Sequence, residues 1–276
     1  MQITPQDSPA GAHSVTVGCR LCGGHLTPSF TKQVLRKYKV AYYKCEACLS
    51  LQTELPYWLN EAYQNNNLST MDTGSAQRNL INLAACYLIA KLLKARNVLD
   101  IGGGDGLLCR LLRDYSINCF VKDKYAIPTY GQGFTEPNFT TPDLVLGFEV
   151  LEHFANPVTD LELFFSYQPP ALLFSTLIYS ARKKQDWWYF VPETGQHVFF
   201  YSKPALSWIA KKYGYDFVKS GAYILFVKKR SLIVKVLAPI LLNKIILRLA
   251  RLIILLLPTT GVTRDQKLYL DPANLS

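Results

Sequence analysis

The chain has 276 residues, with 30 Lys+Arg against 20 Asp+Glu and a formal net charge of +10. Hydrophobic residues make up 49% and charged residues 18%, which excludes a chain disordered throughout, and 16 Gly and 15 Pro without a period exclude collagen-like and low-complexity architectures. The charge is concentrated: residues 217–264 carry nine basic side chains (Lys219, Lys228, Lys229, Arg230, Lys235, Lys244, Arg248, Arg251, Arg264) and no acidic one, so the other 21 of the 30 face 20 acids. A nearly neutral remainder argues against a broad nucleic-acid surface.

Residues 1–15 read as a flexible tail with no apolar run, hence no signal peptide and a cytoplasmic chain. Residues 16–54 read as a zinc-binding module. Cys19, Cys22, Cys45 and Cys48 form two C-x-x-C hooks at the spacing of a structural zinc site, and four thiolates close a tetrahedron with no open position. Gly23 and Gly24 follow the first hook, where the knuckle needs backbone freedom; His25 is a spare ligand. A strand is expected over 35–43. So short a module lacks a sufficient core, and metal binding would stabilise it. Residues 55–94 read as a helical connector: a polar linker around 64–67, then a helix over 76–94 with Leu80, Leu83, Ala84, Tyr87, Leu88 and Leu92 at helical spacing. Cys86, Cys109 and Cys119 sit among apolar residues and read as buried fillers.

From 95 to 230 strands alternate with helices, the pattern of a parallel sheet flanked by helices. Strands are expected at 97–101, 118–122, 144–148, 171–175, 217–221 and 223–228. Between the first strand and the next helix runs Asp100-Ile101-Gly102-Gly103-Gly104-Asp105-Gly106. Glycine there lets the backbone approach a bound nucleoside. The dinucleotide fingerprint would need Gly at 107, where Leu107 stands, and Asp105 would repel a pyrophosphate. S-adenosylmethionine, with a sulfonium and no phosphate, escapes that repulsion. Asp123 ends the second strand, positioned to accept hydrogen bonds from ribose hydroxyls; a solvated loop aspartate is the plainer reading.

Past the 144–148 strand comes Glu149-Val150-Leu151-Glu152-His153. On a helix Glu149, Glu152 and His153 share one face, at a strand's C-terminal end where open α/β sheets bind ligands. A helix-start carboxylate with a buried histidine is the alternative.

The segments Val98 to Gly106 and Asp143 to His153 resemble the first and strand-four motifs of class I S-adenosylmethionine-dependent methyltransferases. With the C-x-x-C pairs and Pro192-Glu193-Thr194-Gly195-Gln196-His197, the resemblance extends over about residues 16–230 to bacterial enzymes that methylate sugars and glycans. It implies a Rossmann-like doubly wound α/β fold with a small N-terminal zinc ribbon. It also implies S-adenosylmethionine and structural zinc as cofactors, and cofactor contacts from Asp100, Gly102, Gly104, Gly106, Asp123, Phe148 and Glu149. The pattern's third strand is weakly marked near 127–134.

Methyl transfer needs alignment of donor and acceptor and removal of a proton. Of four histidines, His153 and His197 fall at the sheet's C-terminal edge. His197 is the leading base, and Glu152 with His153 a second pair; His197 could equally be a structural hydrogen-bonder. The cluster Trp187-Trp188-Tyr189-Phe190 could stack on sugar faces or pack as a lid. Residues 231–276 read as an apolar, basic helical tail. Lys244, Arg248 and Arg251 lie at i, i+4 and i+7, and no uncharged run reaches spanning length. An in-plane helix over 231–257 on an anionic membrane, giving peripheral attachment at the inner face, stands against helices docked on the chain's own core or a second subunit. The expected acceptor is a sugar, nucleotide-sugar or lipid-linked glycan. A lipid or quinone-like acceptor is the runner-up, and a non-enzymatic zinc-ribbon module the other class of function.

Overall fold

The computed structural model describes residues 18–64, 72–228 and 232–270. The expected N-terminal tail with His13, most of the polar linker, Lys229 and Arg230 lie outside the described residues.

Two sheets organise the chain. The first is antiparallel, in the order β1-β2-β3-β8, formed by β1 (Leu26–Val34), β2 (Tyr38–Cys45), β3 (Leu51–Thr53) and, from far along the sequence, β8 (Phe199–Phe200). The strand expected at 35–43 is half of a hairpin. Leu35 and Arg36 both adopt positive φ (52° and 57°), so the chain reverses there instead of extending. That strained tip is held from outside, because the Leu35 N–H donates to the Pro192 carbonyl at 2.8 Å.

The second sheet runs β5-β4-β6-β7-β10-β9. Its strands are β4 (Asn97–Ile101), β5 (Asn118–Lys122), β6 (Leu144–Phe148), β7 (Ala171–Ser175), β9 (Asp216–Ser220) and β10 (Tyr223–Val227). β4, β5, β6 and β7 are parallel, while β10 runs antiparallel to both β7 and β9, so the sheet is mixed and not wholly parallel. Gly221 (φ 57°) closes the β9–β10 reversal, a two-residue turn too short for any crossover. β7 and β10 are buried throughout, as continuous apolar runs covered on both faces must be. Residues 123–143 form turns and no ordered strand; Pro128, Pro137 and Pro142 lack the N–H a ladder needs.

Helices α1 (Leu59–Gln64), α2 (Ser75–Leu93), α3 (Leu107–Asp114), α4 (Pro157–Phe165) and α5 (Lys203–Tyr213) flank the strands. α5 shows why these ends fall where they do. Ser202 Oγ accepts from the Ala205 N–H at 3.0 Å, Pro204 occupies the first turn, and Gly214 (φ 75°) ends the helix left-handed. α2 buries Asn82, Ala85, Cys86 and Ile89 beyond the expected face. The cause is the tail, three helices and not one: α6 (Leu232–Leu241), α7 (Lys244–Ile254) and α8 (Thr260–Leu270). α6 ends just past Pro239, and Asn243 starts α7 afresh by accepting from the Ile245 N–H at 2.9 Å. Val234, Ala238, Leu242, Leu247, Ala250 and Ile254 are buried, so one tail face docks on the chain's own core. α8 is anchored by Asp265, whose carboxylate takes a two-pronged hydrogen bond from Arg113 of α3 (2.8 and 2.9 Å) and one from Arg110 (2.8 Å). Among the described residues, no helix is long and apolar enough to cross a membrane.

Candidate active site

β4 lies between β5 and β6, so the strand order reverses at its C-terminal end, where crevices of such sheets bind ligands. The glycine turn leaves β4 there. Its glycines answer to different constraints. A Cβ at Gly106 (φ 79°) would lie 2.7 Å from the Gly131 backbone nitrogen, and one at Gly102 (φ 77°) 2.5 Å from Val150. Gly104 (φ 58°) faces open space, with no heavy atom within 4 Å, so this is the side of the turn left free for a ligand. Gly103, which the sequence analysis did not single out, would drive a Cβ to 2.5 Å from Asp100 Oδ2.

Asp100 lies buried beneath the turn, and its Oδ2 has no hydrogen-bond partner. Burial, with the Asp123 charge nearby, pushes its carboxyl up to about 7. Asp123 reaches back to the turn: Oδ2 accepts from the Gly104 N–H at 2.9 Å, and Oδ1 from the Tyr125 and Ala126 N–H groups at 2.8 Å. Three of its roughly four acceptor positions are used, leaving one for a hydroxyl. Asp105 is turned to α3, accepting from the Leu107 N–H at 3.1 Å.

Glu149 leaves β6 with φ 51°, a conformation an L-residue adopts only when its surroundings hold it. Its N–H donates to Ser175 Oγ at 3.0 Å, and the Ser175 hydroxyl donates to Glu149 Oε1 at 2.6 Å. The expected helix is instead a single 3-10 turn, Leu151–His153, bounded by non-helical Val150 and extended Phe154. Phe148 packs edge-on against Tyr223, ring centroids 6.0 Å apart. Glu152 is fully buried; Tyr189 donates to its Oε1 at 2.5 Å, and its Oε2 has no partner. Burial pushes Glu152 and Glu149 each up to about 7; at Glu149 the Glu152 charge adds to this, and at Glu152 the Tyr189 bond opposes it.

The structure brings His153 and His197 together, with ring centroids 5.0 Å apart. His197 Nδ1 lies 2.7 Å from the Tyr189 carbonyl, which accepts only from a protonated nitrogen and so assigns the proton to Nδ1 and a free lone pair to Nε2. His153 Nδ1 lies 3.2 Å from the Tyr63 hydroxyl. Burial lowers both imidazole pKa values, so both rings are neutral near pH 7. Tyr63 and Tyr189 escaped the sequence reading for different reasons. Tyr189 stood inside the aromatic cluster, of which Trp187, Tyr189 and Phe190 turn out buried and Trp188 is 71% exposed. Tyr63 is 90 residues from His153 with no pattern linking them.

The segment bearing His197 is held by the N-terminal module and by the start of the connector that follows it. Arg20, between the two cysteines of the first hook, donates to the carbonyls of Val198 (2.7 Å), Thr53 (3.1 Å) and Ala155 (3.0 Å). Trp58 Nε1 donates to the Gly195 carbonyl at 2.8 Å, and Gln196 Nε2 to the Ala62 carbonyl at 3.0 Å. The Val198 N–H donates to the Glu152 carbonyl at 2.8 Å, which ties the two halves of the site together.

In that module Cys19, Cys22, Cys45 and Cys48 converge, their sulfurs all within 4.8 Å of one another and two pairs at 3.6 Å. A tetrahedron with Zn–S bonds of about 2.3 Å has edges near 3.8 Å, so the donor set fits zinc in number, type and spacing. A Cβ at Gly24 would meet Ala47 at 2.7 Å and the Cys45 sulfur at 3.1 Å, so glycine there is a packing requirement. Gly23 (φ 74°) supplies the knuckle's left-handed residue. The Cys19–Cys48 bond pulls the Cys48 thiol down and pushes Cys19 up. His25 stands outside the cluster, 3.2 Å from Glu46 and largely exposed.

A switch-point crevice, a glycine turn open on one side and an acidic lining are the features that a positively charged nucleoside ligand would need. The family model for a methyltransferase domain matches residues 73–220, more than half of the chain, and the chain belongs to that family. It is an S-adenosylmethionine-dependent methyltransferase. No curated protein matches the chain. Among solved structures it is similar to the 1,6-didemethyltoxoflavin N1-methyltransferase of Burkholderia thailandensis: 14% identity over 72% of this chain and 96% of that one, TM-score 0.44. It is similar to the magnesium protoporphyrin IX methyltransferase of Synechocystis PCC 6803 with bound S-adenosylmethionine, at 14% identity over 56% and 80%, TM-score 0.39. It is also similar to an O-methyltransferase family protein of Burkholderia thailandensis, at 15% identity over 62% and 60%, TM-score 0.46.

Proposed function

We propose that this methyltransferase acts on a sugar, nucleotide-sugar or lipid-linked glycan, with His197 as the base that prepares the acceptor. The observation that carries the reading is His197 itself. It is a neutral imidazole with Nδ1 committed to a backbone carbonyl and Nε2 left to accept a proton, beside buried Glu152 and the end of β6. S-adenosylmethionine supplies an electrophilic methyl group. The backbone of residues 102–106 and the remaining acceptor position of Asp123 would hold its nucleoside, and Asp100 and Glu149 favour its positive charge. Glu152, braced by Tyr189, stabilises the imidazolium formed when His197 takes the acceptor's proton. Trp188 offers an exposed flat apolar face of the kind that packs on sugar rings.

Zinc at the four cysteines is structural in this reading: it closes the module that grips residues 192–200. The tail favours an acceptor carried at a membrane. Ile233, Ile245, Leu252, Ile253 and Leu256 are exposed, and so are Lys244 and Arg248 of α7. That exposed face is also what supports the second reading, a lipid or quinone-like acceptor. Either way the protein is peripheral, at the cytoplasmic face.

In a methyl-release assay on a glycan extract, His197→Gln should lower turnover by about 10²–10⁴-fold while S-adenosylhomocysteine affinity stays at the wild-type value. Unchanged turnover removes His197 as the base. Methyl transfer to a lipid extract but to no glycan selects the second reading.

A further inference from the structure

Glu152, His153 and His197 also lie at the spacing of a ligand set. One carboxylate oxygen and one ring nitrogen from each histidine lie within 4.8 Å of one another, the spacing of ligands around a single cation. We propose that these three side chains form a binding site for a divalent first-row transition-metal cation, open toward the acceptor, which selects acceptors carrying two adjacent oxygen atoms. The inference rests on the reading of this crevice as the acceptor site and deepens it: with the cation bound, His197 Nε2 is a ligand, and the cation in place of the free imidazole prepares the acceptor.

Three observations support it independently of that reading. First, Glu152 is fully buried and its Oε2 has no hydrogen-bond partner, a costly state for a carboxylate unless something cationic completes it. Among the described residues, no Lys or Arg forms an ion pair with Glu149 or Glu152; Arg78, paired with Asp72, acts on both only at longer range. Second, each histidine has Nδ1 occupied, His197 by the Tyr189 carbonyl and His153 by the Tyr63 hydroxyl. Metal-bound imidazoles are oriented this way, with the outer nitrogen hydrogen-bonded and the inner one left to coordinate. Third, the same tyrosine that presents its carbonyl to His197 donates its hydroxyl to Glu152, so one residue orients two of the three ligands.

The donor set decides the cation class. Two imidazoles and a carboxylate disfavour calcium and magnesium, which take oxygen ligands, and favour manganese, iron, cobalt or zinc. Three protein ligands leave positions free, unlike the closed set of four cysteines. Two adjacent acceptor oxygens can fill those positions as a chelate. Coordination lowers the pKa of the reacting hydroxyl. Its proton leaves to water, the oxygen's electron pair forms the new bond to the methyl carbon, and the pair of the breaking carbon–sulfur bond stays on sulfur as a neutral thioether.

Manganese separates this site from the cysteines, because thiolates bind it weakly. The zinc-loaded full chain should be titrated with Mn2+ and free Mn2+ followed by electron paramagnetic resonance, beside calorimetry with S-adenosylhomocysteine. The wild type should bind Mn2+ at one site per chain. Glu152→Gln and His197→Gln should each weaken that binding by about tenfold or more while still binding S-adenosylhomocysteine. A wild type that binds S-adenosylhomocysteine but leaves Mn2+ and Co2+ free, or variants that bind Mn2+ as tightly as the wild type, overturns the metal site and leaves the base assignment standing. Unimpaired turnover in His197→Gln would instead defeat the reading beneath it.

Discussion

Residue by residue, the glycine turn separates two demands that look identical in sequence. Gly106 is glycine because of its backbone angle and the Gly131 chain packed against it. Gly104 is glycine because of its angle and because its outer side is open. Gly106→Ala should therefore act on stability, and Gly104→Ala on ligand binding. A Cβ at Gly104 costs about 1–2 kcal/mol of backbone strain, whereas at Gly106 a backbone clash of 2.7 Å is added. Thermal unfolding and calorimetry with S-adenosylhomocysteine should show the larger loss of Tm in Gly106→Ala. Gly104→Ala should lose about tenfold in affinity, which is about 1.4 kcal/mol. Equal affinity in Gly104→Ala and wild type would mean that the open side of the turn does not face the ligand.

At the level of elements, the N-terminal hairpin and the last strand of its sheet are joined across the chain, and the site depends on the junction. β8 pairs with β3 two residues after His197, and Arg20 spans the first cysteine hook and the Val198 carbonyl. Damage to the cysteine cluster should reach the acceptor side of the site before the cofactor side, which stands on β4, α3 and β5. Stripping zinc with a strong chelator should lower turnover by about tenfold or more and change S-adenosylhomocysteine affinity far less. Losing about 3 kcal/mol of module stability should also lower Tm by roughly 6–12 °C in a chain of this size. If chelation removes the metal and neither turnover nor Tm moves, the module is an appendage and the coupling through Arg20 is void.

For the whole molecule, the tail reconciles two alternatives that the charge pattern had set against each other. It docks on α2 and α3 through one face, locked by Asp265 and Arg113, and it keeps a second apolar face outward with basic side chains near it. Exposed large apolar residues in such number mark an interaction surface. In liposome flotation, the wild type should travel with vesicles rich in anionic lipid and much less with neutral ones, since each basic residue near the surface adds about 1 kcal/mol. Leu252→Glu with Ile253→Glu should abolish flotation without disturbing S-adenosylhomocysteine binding, because both positions are exposed. Recovery of the wild type away from the vesicles at every lipid composition would remove the membrane contact.

Some of this was legible before any coordinates. β4, β5, β6 and β7 are short apolar runs bounded by turn residues, and their limits are local properties of the chain, so pattern alone located them. The cysteine spacing and the glycine turn are local in the same sense. The hairpin at Leu35 was not, because its positive φ angles belong to residues that do not favour them and are held by a carbonyl 157 residues away. Nor was the direction of β10, which only a two-residue turn and pairing with β7 decide. The composition that first stood out, a surplus of positive charge in one C-terminal stretch, was a fact of sequence. Its division into a docked face and an outward face follows from where α2 and α3 present their surfaces, and side chains compete for burial only in three dimensions. The assembly of Glu152, His153 and His197 with Tyr63 and Tyr189 is tertiary for the same reason: four separate segments supply it, and only the packed sheets bring them within reach of one another.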